Sequence, residues 1–514
     1  MKNPILLLQN SINARPKLGC LLAGFLTVGA LPPWHVWPLL FIAFPWLLLQ
    51  INRAVSKRRA FACGYWFGFG FFAAGLSWVG NALLIDAAVF GWLYPLVLLA
   101  AGGFFGLFTA VPALLAYLFR GLYARWLALA GFWVLSEWLR SFILTGFPWN
   151  LLGSVLAFDI TLLQAAALIG TYGLSGLVLL AASAPALCLH YRNRTALIIS
   201  LSIIIGISLL LWGFGSWRLK QYPERAGNLK IRIVQPAIPQ QMKWQPDTLE
   251  DNFADYISLS RSPGFEGVDF VVWGETASPF PLDLDREHLL QAAAAVPPQG
   301  FLITGLVRYG FDPDEGYYRP RNSLLVIGRN GEIAAAYDKS HLVPFGEYIP
   351  LRRFLPQWIR PITGAIANFM PGQGPQALQA GNYPSFGGLI CYEIIFPGQV
   401  AARNPRPEWL VNLTNDGWYG DSAGPYQHLV TTQLRAVEEG LTIVRAANTG
   451  ISAVISPVGK IIAELGLNRR GFIDANLPQT LTISTAYGKN CNIIPLILTF
   501  LNIMLAFYIS SRTL

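Results

Sequence analysis

Phe386-Gly-Gly-Leu-Ile-Cys391-Tyr-Glu-Ile-Ile-Phe396 is a short apolar run that ends on a cysteine and meets a carboxylate two residues later. A run of this length, bounded by Pro384 on one side and Pro397 on the other, reads as a buried strand with Cys391 at its end. Cys20, Cys63 and Cys188 fall inside long apolar stretches and Cys491 opens another, so Cys391 has no disulfide partner in the polar part of the chain. Such a thiol is either a small buried hydrophobe or a reactive group, and the neighbouring sequence has to decide.

Six further runs have the same character: Lys230–Gln235, Val268–Trp273, Gly300–Gly305, Asn322–Gly328, Trp409–Thr414 and Ile451–Ile455. All are rich in β-branched or aromatic residues and bounded by Gly, Pro, Asn or Asp. Helix-length stretches at 247–262, 285–296 and 425–441 lie between them. Strands apolar on both faces and interleaved with helices predict layered sheets covered by helices.

Two charged residues stand in positions equivalent to Cys391. Glu275 follows the strand ending Val271-Val-Trp273, and Lys339 ends Ala335-Ala-Tyr-Asp-Lys339. Polar groups gathered from separate strand ends are a common way for layered α/β folds to build a site. The three suit acyl transfer: a carboxylate takes the thiol proton, the thiolate attacks a carbonyl, and an ammonium stabilises the oxyanion. The alternative for Glu275 and Lys339 is an ordinary surface ion pair.

The rest of the chain is unlike this part. Of 514 residues 54% are hydrophobic and 13% charged, about half the usual charged share. Residues 1–217 hold only Asp86, Glu137 and Asp159 as acids, residues 489–514 hold none, and the other 25 of 28 lie in 218–488. This split predicts a transmembrane region over 1–217, a polar catalytic domain over 218–488 and a last membrane helix over 489–514. Runs long enough for roughly 30 Å of hydrocarbon fall at about 18–33, 36–51, 60–85, 90–119, 124–140, 162–190, 196–216 and 491–510. That gives about eight spans.

Lys2, Arg15 and Lys17, then Arg53, Lys57, Arg58 and Arg59, then Arg120 and Arg125, then Arg192 and Arg194 all fall on one side if eight spans alternate. The positive-inside rule makes that side cytoplasmic. Both termini are then cytoplasmic and the polar domain faces outward. No cleavable leader is evident before the first apolar run, which reads as an uncleaved anchor. The net charge of +9 sits largely in those loops, beside anionic headgroups, and nucleic-acid binding is excluded as its explanation.

Beyond the strand ends, five ordered blocks resemble the nitrilase superfamily: Trp273-Gly-Glu-Thr276; Tyr337-Asp-Lys-Ser-His-Leu-Val-Pro-Phe-Gly-Glu347; Leu389-Ile-Cys-Tyr-Glu-Ile-Ile-Phe-Pro397; Asn412–Gly420; and Arg445–Ser452. The resemblance implies an α-β-β-α sandwich on the membrane helices, with Cys391 as nucleophile, Glu275 as general base and Lys339 as oxyanion-stabilising cation. It makes Glu347 an auxiliary carboxylate and gives Tyr392 and Glu393 places beside the nucleophile, the Tyr392 N–H facing the oxyanion. It matches Trp244 to a family tryptophan beside the site. Gly274, Thr276 and Gly417 depart mildly from the family pattern.

Fusion to so many membrane helices resembles the membrane-bound N-acyltransferase branch of that superfamily. This implies a phospholipid acyl donor, a thioester on Cys391, and a diacylglyceryl-cysteine at the N-terminus of an apolipoprotein as acceptor, in a bacterial inner membrane with the catalytic domain periplasmic. The chain is read as a monomer. No cofactor is expected, since no His/Cys spacing suggests metal and no Gly-rich loop after a strand suggests a nucleotide.

Residues 351–370 mix Arg352, Arg353 and Arg360 with Phe354, Trp358, Ile359, Ile362 and Phe369, as a segment at a headgroup boundary would. They read as a lid or as a loop packed into the sandwich. Trp418 and Tyr419 between two glycines read as a mobile lid or a packed turn. Phe147 and Trp149 line a lipid entry or simply sit at the interface. Glu137, three residues before Arg140, reads as an intrahelical pair. A membrane-anchored amidase or nitrile hydrolase is the second functional reading. A transporter is the third, disfavoured by the scarcity of polar residues inside the spans.

Overall fold

The computed structural model describes residues 15–350, 352 and 368–513. The chain forms two compact units, one of Tyr222–Thr485 and one of Met1–Gln221 with Ala486–Leu514.

Among the described residues of the helical unit four helices are long and apolar enough to cross a membrane: Ala87–Tyr117, Ala166–Tyr191, Arg194–Gln221 and Ile493–Arg512. Lys57–Gly75 with Ser77–Leu84, bent by 42°, makes a fifth if it is one span. Pro16–Val28 has 13 residues, about 20 Å of helix at 1.5 Å per residue, which falls short of the hydrocarbon thickness. The expectation of about eight spans thus exceeds what helix length and composition carry. Inside this unit Glu137 Oε1 accepts from Trp133 Nε1 at 3.1 Å and from the Leu152 N–H at 2.9 Å. Arg140 donates to the carbonyls of Phe147 and Trp149 at 2.9 and 2.7 Å. Phe147 and Trp149 stack at 5.9 Å, and Trp149 packs on Trp78 at 4.5 Å, so both rings serve the packing of this unit.

The polar unit is a sandwich of two six-stranded sheets. Its strands are β1 Ala226–Gln235, β2 Phe270–Val272, β3 Phe301–Asp312, β4 Tyr317–Ile327, β5 Ile333–Asp338, β6 Ala377–Leu378, β7 Phe386–Ile390, β8 Trp409–Thr414, β9 Thr442–Ala447, β10 Ser452–Ile455, β11 Ile461–Leu465 and β12 Gly471–Pro478. The first sheet runs β12-β1-β2-β3-β4-β5 and the second β11-β10-β9-β8-β7-β6. Each has a parallel centre, β1-β2-β3 in one and β7-β8-β9 in the other, with antiparallel flanks.

Alternation along the strands sorts the side chains into layers. Ile231, Ile233, Phe270, Val272, Ile303 and Leu324 meet Phe386, Ile390, Trp409, Val411 and Val444 between the sheets. The opposite neighbours Val271, Trp273, Leu302 and Leu325 pack outward against Phe253 and Tyr256 of α1 (Leu249–Ser260) and Leu289 and Ala292 of α2 (Arg286–Ala293). Helix α3 (Gly424–Glu439) lies against β9 and β10 of the second sheet. At Gly388 in β7 a Cβ would sit 3.2 Å from Tyr337 Cδ1 of the opposite sheet. A side chain there would press on that ring, which would have to give by a few tenths of an ångström.

Candidate active site

The ends of β2, β5 and β7 bring Glu275, Lys339 and Cys391 to one place. Glu275 lies in the turn that leaves β2, and this turn is stitched onto β3. Gly305 N donates to the Gly274 carbonyl at 3.2 Å, and Ser278 N donates to the Gly305 carbonyl at 3.0 Å. A side chain at Gly305 would lie 2.6 Å from both Gly274 O and Thr276 N, so the glycine is required for the Glu275 turn to sit here. Lys339 follows β5 directly, and its N–H donates to the Asn322 carbonyl of β4 at 2.8 Å. Cys391 follows β7 with φ +49°, a left-handed turn that a non-glycine residue adopts only where its surroundings hold it.

Lys339 Nζ lies 3.4 Å from Glu275 Oε1 and 3.0 Å from Glu347 Oε1. Asn322 Nδ2 donates to the same two oxygens, at 2.7 and 2.8 Å. Glu347 Oε2 accepts the Val343 N–H at 2.7 Å. Two buried carboxylates repel, and here one ammonium and one amide hold them together. Burial alone would pull the Lys339 pKa down, but Glu347 and then Glu275 more than reverse this and hold it above the ordinary lysine value. Lys339 is therefore a fixed positive charge at any working pH. Burial, reinforced by Glu275 and opposed by Lys339, pushes the Cys391 thiol up to about 12. At rest Cys391 is a thiol, which would need a base to act as a nucleophile.

Glu393 is more than a neighbour of Cys391. Its Oε1 accepts from Tyr337 OH at 2.7 Å, Ser340 N at 2.8 Å, Ser340 Oγ at 2.7 Å and His341 N at 3.2 Å, while Oε2 accepts from Ile390 N at 2.8 Å. One carboxylate thus ties the segment after Lys339 to the residue before Cys391. Tyr392 is buried and packs edge-on against Phe396 at 5.2 Å. Tyr419 OH reaches to 4.0 Å from Cys391 Sγ, and Trp418 is half-buried.

Sequence reasoning passed over several groups. His428 of α3 bridges Asp416 (Nδ1, 2.9 Å) to the Cys391 carbonyl (Nε2, 3.2 Å), and Arg445 of β9 reaches Asp416 Oδ2 at 2.6 Å. Burial works against the Asp416 charge, but Arg445 and His428 outweigh it and hold the carboxyl at about 2. Lys243 is buried too, its Nζ donating to the Glu275 carbonyl at 2.9 Å and to Thr276 Oγ1 at 2.8 Å. Burial brings its pKa down to about 8, against the opposing pull of Glu275 and Cys391. Asn322, Asp416, His428 and Lys243 lie in turns, helix and strand without any spacing that links them. The one available signal was polar residues inside apolar runs, such as Arg445 in Thr442-Ile-Val-Arg-Ala-Ala447.

Trp244, next to Lys243, is 44% exposed. Trp358, with Arg353, Phe354, Arg360 and the rest of 353–367, lies outside the described residues. The chain re-enters at Asn368 and Phe369, where Phe369 N donates to the Glu347 carbonyl at 2.9 Å. Among the described residues no cluster of three or more His, Cys, Asp or Glu side chains could hold a metal ion.

Residues 230–487 match the family model for carbon-nitrogen hydrolases, and two mixed sheets with this strand-end site are a nitrilase-like fold. The chain is similar over 52% of its length to a mutant of the Nesterenkonia AN1 amidase from the nitrilase superfamily, at 20% identity and a TM-score of 0.38, covering 95% of that chain. Residues 23–184 match the model for the apolipoprotein N-acyltransferase N-terminal domain. The apolipoprotein N-acyltransferase of Rhodopseudomonas palustris is 40% identical over 488 residues, covering 91% of this chain and 90% of that one. That of Rickettsia typhi is 33% identical, covering 97% and 99%. The chain belongs to the apolipoprotein N-acyltransferase family.

Proposed function

We propose that this chain moves a fatty acyl group from a membrane phospholipid, through a thioester on Cys391, to the α-amine of the N-terminal diacylglyceryl-cysteine of apolipoproteins. Glu275 takes the Cys391 proton as the sulfur attacks the ester carbonyl. The oxyanion is met by the Lys339 ammonium and the Tyr392 N–H. Collapse breaks the ester C–O bond, and the proton on Glu275 passes to the departing lysophospholipid oxygen. In the second half the lipoprotein amine attacks the thioester carbonyl, Glu275 takes the proton from nitrogen, the C–S bond breaks, and the thiol is re-formed. The product is an amide and the cycle is ping-pong.

The observation that carries this reading is Lys339, held charged between Glu275 and Glu347 at the strand ends that carry a protonated, buried Cys391. Glu347 orients Lys339 or the incoming amine, while Glu393 with Tyr392 shapes the turn of the nucleophile. Trp244, Trp418 and Tyr419 border the acyl-chain path. The finer arrangement proposed is a monomer in the bacterial inner membrane, with 1–217 and 489–514 supplying about eight spans, cytoplasmic termini and a periplasmic 218–488 domain. The apolar helices and the family relationship support a membrane location.

The test is mass spectrometry of the detergent-solubilised protein given phospholipid and no amine. One acyl mass on Cys391 is expected, absent in Cys391→Ala and in Glu275→Gln. An unchanged mass, acylation surviving in Cys391→Ala, or release of ammonia from simple amides in place of acyl transfer would overturn the reading.

A further inference from the structure

The turn between β1 and α1 carries a charged group that the reaction above leaves unused. Lys243 is only 4% exposed, and its ammonium is directed at the backbone of the base: the Glu275 carbonyl at 2.9 Å and the Thr276 hydroxyl at 2.8 Å. Thr276 sits at φ +44°. A β-branched residue is a genuine outlier there, and such a conformation persists only when its surroundings over-determine it. Two contacts do so. From one side β3 presses against the turn, where Gly305 leaves no room for a side chain beside Thr276 N. Lys243 supplies a second hold, through the side-chain hydroxyl and the preceding carbonyl.

The segment bearing Lys243 is itself anchored. Ile238 exchanges two hydrogen bonds with Asn448, at 3.0 and 2.8 Å. Gln240 Oε1 accepts from Asn415 Nδ2 at 2.8 Å, and Asn415 immediately precedes Asp416. Lys243 therefore hangs from a frame fixed to the second sheet and grips a turn of the first. The Coulombic influence of Glu275 and Cys391 reaches its ammonium, which places it within the site's field. A neutral side chain of equal length would fill the volume and supply no donor.

We infer that Lys243 is a positioning residue for the general base, its ammonium holding the Glu275–Thr276 peptide in the left-handed turn that presents the Glu275 carboxylate to the reaction. It acts through Glu275 and takes no part in bond making. The inference rests on the acyl-transfer reading and adds a member to its machinery.

The experiment compares wild type with Lys243→Met, Lys243→Arg and Thr276→Val, all as full-length protein in detergent. Single-turnover acylation of Cys391 is followed over a range of phospholipid concentration. Lys243→Met should lower the limiting rate by about tenfold to a hundredfold, the scale of a small misplacement of a catalytic group, with the half-saturating concentration unchanged. Lys243→Arg, which keeps charged donors, should recover several-fold of that loss. Thr276→Val removes one of the two acceptors and should show an intermediate loss at an unchanged melting temperature, which keeps the idea open to refutation if Lys243→Met does not fold.

Alkylation of Cys391 by iodoacetamide, read on its peptide, needs no phospholipid. It should fall in the same order across the variants, so a failure of the lipid reading would leave this arm intact. Wild-type limiting rates of acylation and alkylation in folded Lys243→Met or Thr276→Val, or a change confined to half-saturation, would overturn the inference.

Discussion

Glu393→Gln should cost the enzyme both stability and rate, and the hydrogen bonds say by how much. The carboxylate accepts five bonds, four converging on Oε1 and one on Oε2 from Ile390 N. A glutamine must turn its NH2 toward one of those two sets of donors. Facing Ile390 is the lesser loss: one hydrogen bond to a charged group, about 1.5–3 kcal/mol, together with an unsatisfied buried N–H worth about 1–3 kcal/mol. The four remaining bonds also lose their charge assistance. A total of about 3–5 kcal/mol follows, the range for breaking a buried charged network. At roughly 2–4 °C per kcal/mol for a domain of this size, the midpoint of the catalytic unit should drop by about 10 °C. Tryptophan fluorescence during heating reads this, with Trp273 and Trp409 fully buried in that unit. Because the same carboxylate tethers Ser340 and His341, just past Lys339, to Ile390, just before Cys391, acylation measured well below both midpoints should also slow by at least about tenfold. A midpoint within about 2 °C of wild type with an unaltered acylation rate would refute the tether.

The raised pKa of Cys391 means that no thiolate stands ready at neutral pH. The difference in thiolate absorbance between wild type and Cys391→Ala should stay flat as pH rises to about 9, well short of a thiol pushed up to about 12, and a thiolate step near pH 7 would contradict this. Asp416 is depressed to about 2 in the folded chain and returns to about 3.9 when unfolded. Its contribution, about 2–3 kcal/mol at 1.36 kcal/mol per unit, is present above the unfolded value near pH 4 and is lost as pH falls from there through about 2. Asp416→Asn should lower stability at neutral pH and flatten the acid-unfolding curve in that window; an equally steep curve would show that the carboxylate is not the titrating group. Trp244→Ala should leave the melting point nearly unchanged, since the ring is largely exposed, and raise the phospholipid concentration needed for half-maximal acylation. An unchanged half-saturation would remove this tryptophan from the acyl path.

The sandwich was readable where burial was complete. Trp409–Thr414, apolar on both faces, announces β8 without a register to work out, and the β7 run ending in Cys391 does the same. Three of the strands that went unread are of two kinds. β11 and β12 are half-exposed with Glu464 and Asp474 within them, so their apolar signal is diluted. β9 follows its helix after Gly440 and carries Arg445 in its centre. A guanidinium in a strand looks like exposure until Asp416 and Asn412 are found beside it. In the site, residues at strand ends were legible because position and chemistry coincide. Lys243 and His428 were not, because a hydrogen bond to a backbone carbonyl leaves no trace in the spacing of side chains. In the helical unit, counting apolar residues does not settle the number of spans, since Pro16–Val28 is apolar yet short.

The close approach at Gly388 turns the sandwich into a caliper. Its two jaws carry different members of the proposed triad, Glu275 and Lys339 at strand ends of one sheet and Cys391 at a strand end of the other, so their spacing depends on how closely the layers pack. Tyr337, the ring 3.2 Å from where a Gly388 methyl would stand, also donates its hydroxyl to Glu393. An added methyl there would press on that ring, so the ring or the strand must give by a few tenths of an ångström, and a residue with no polar side chain thereby bears on the spacing of the proposed triad.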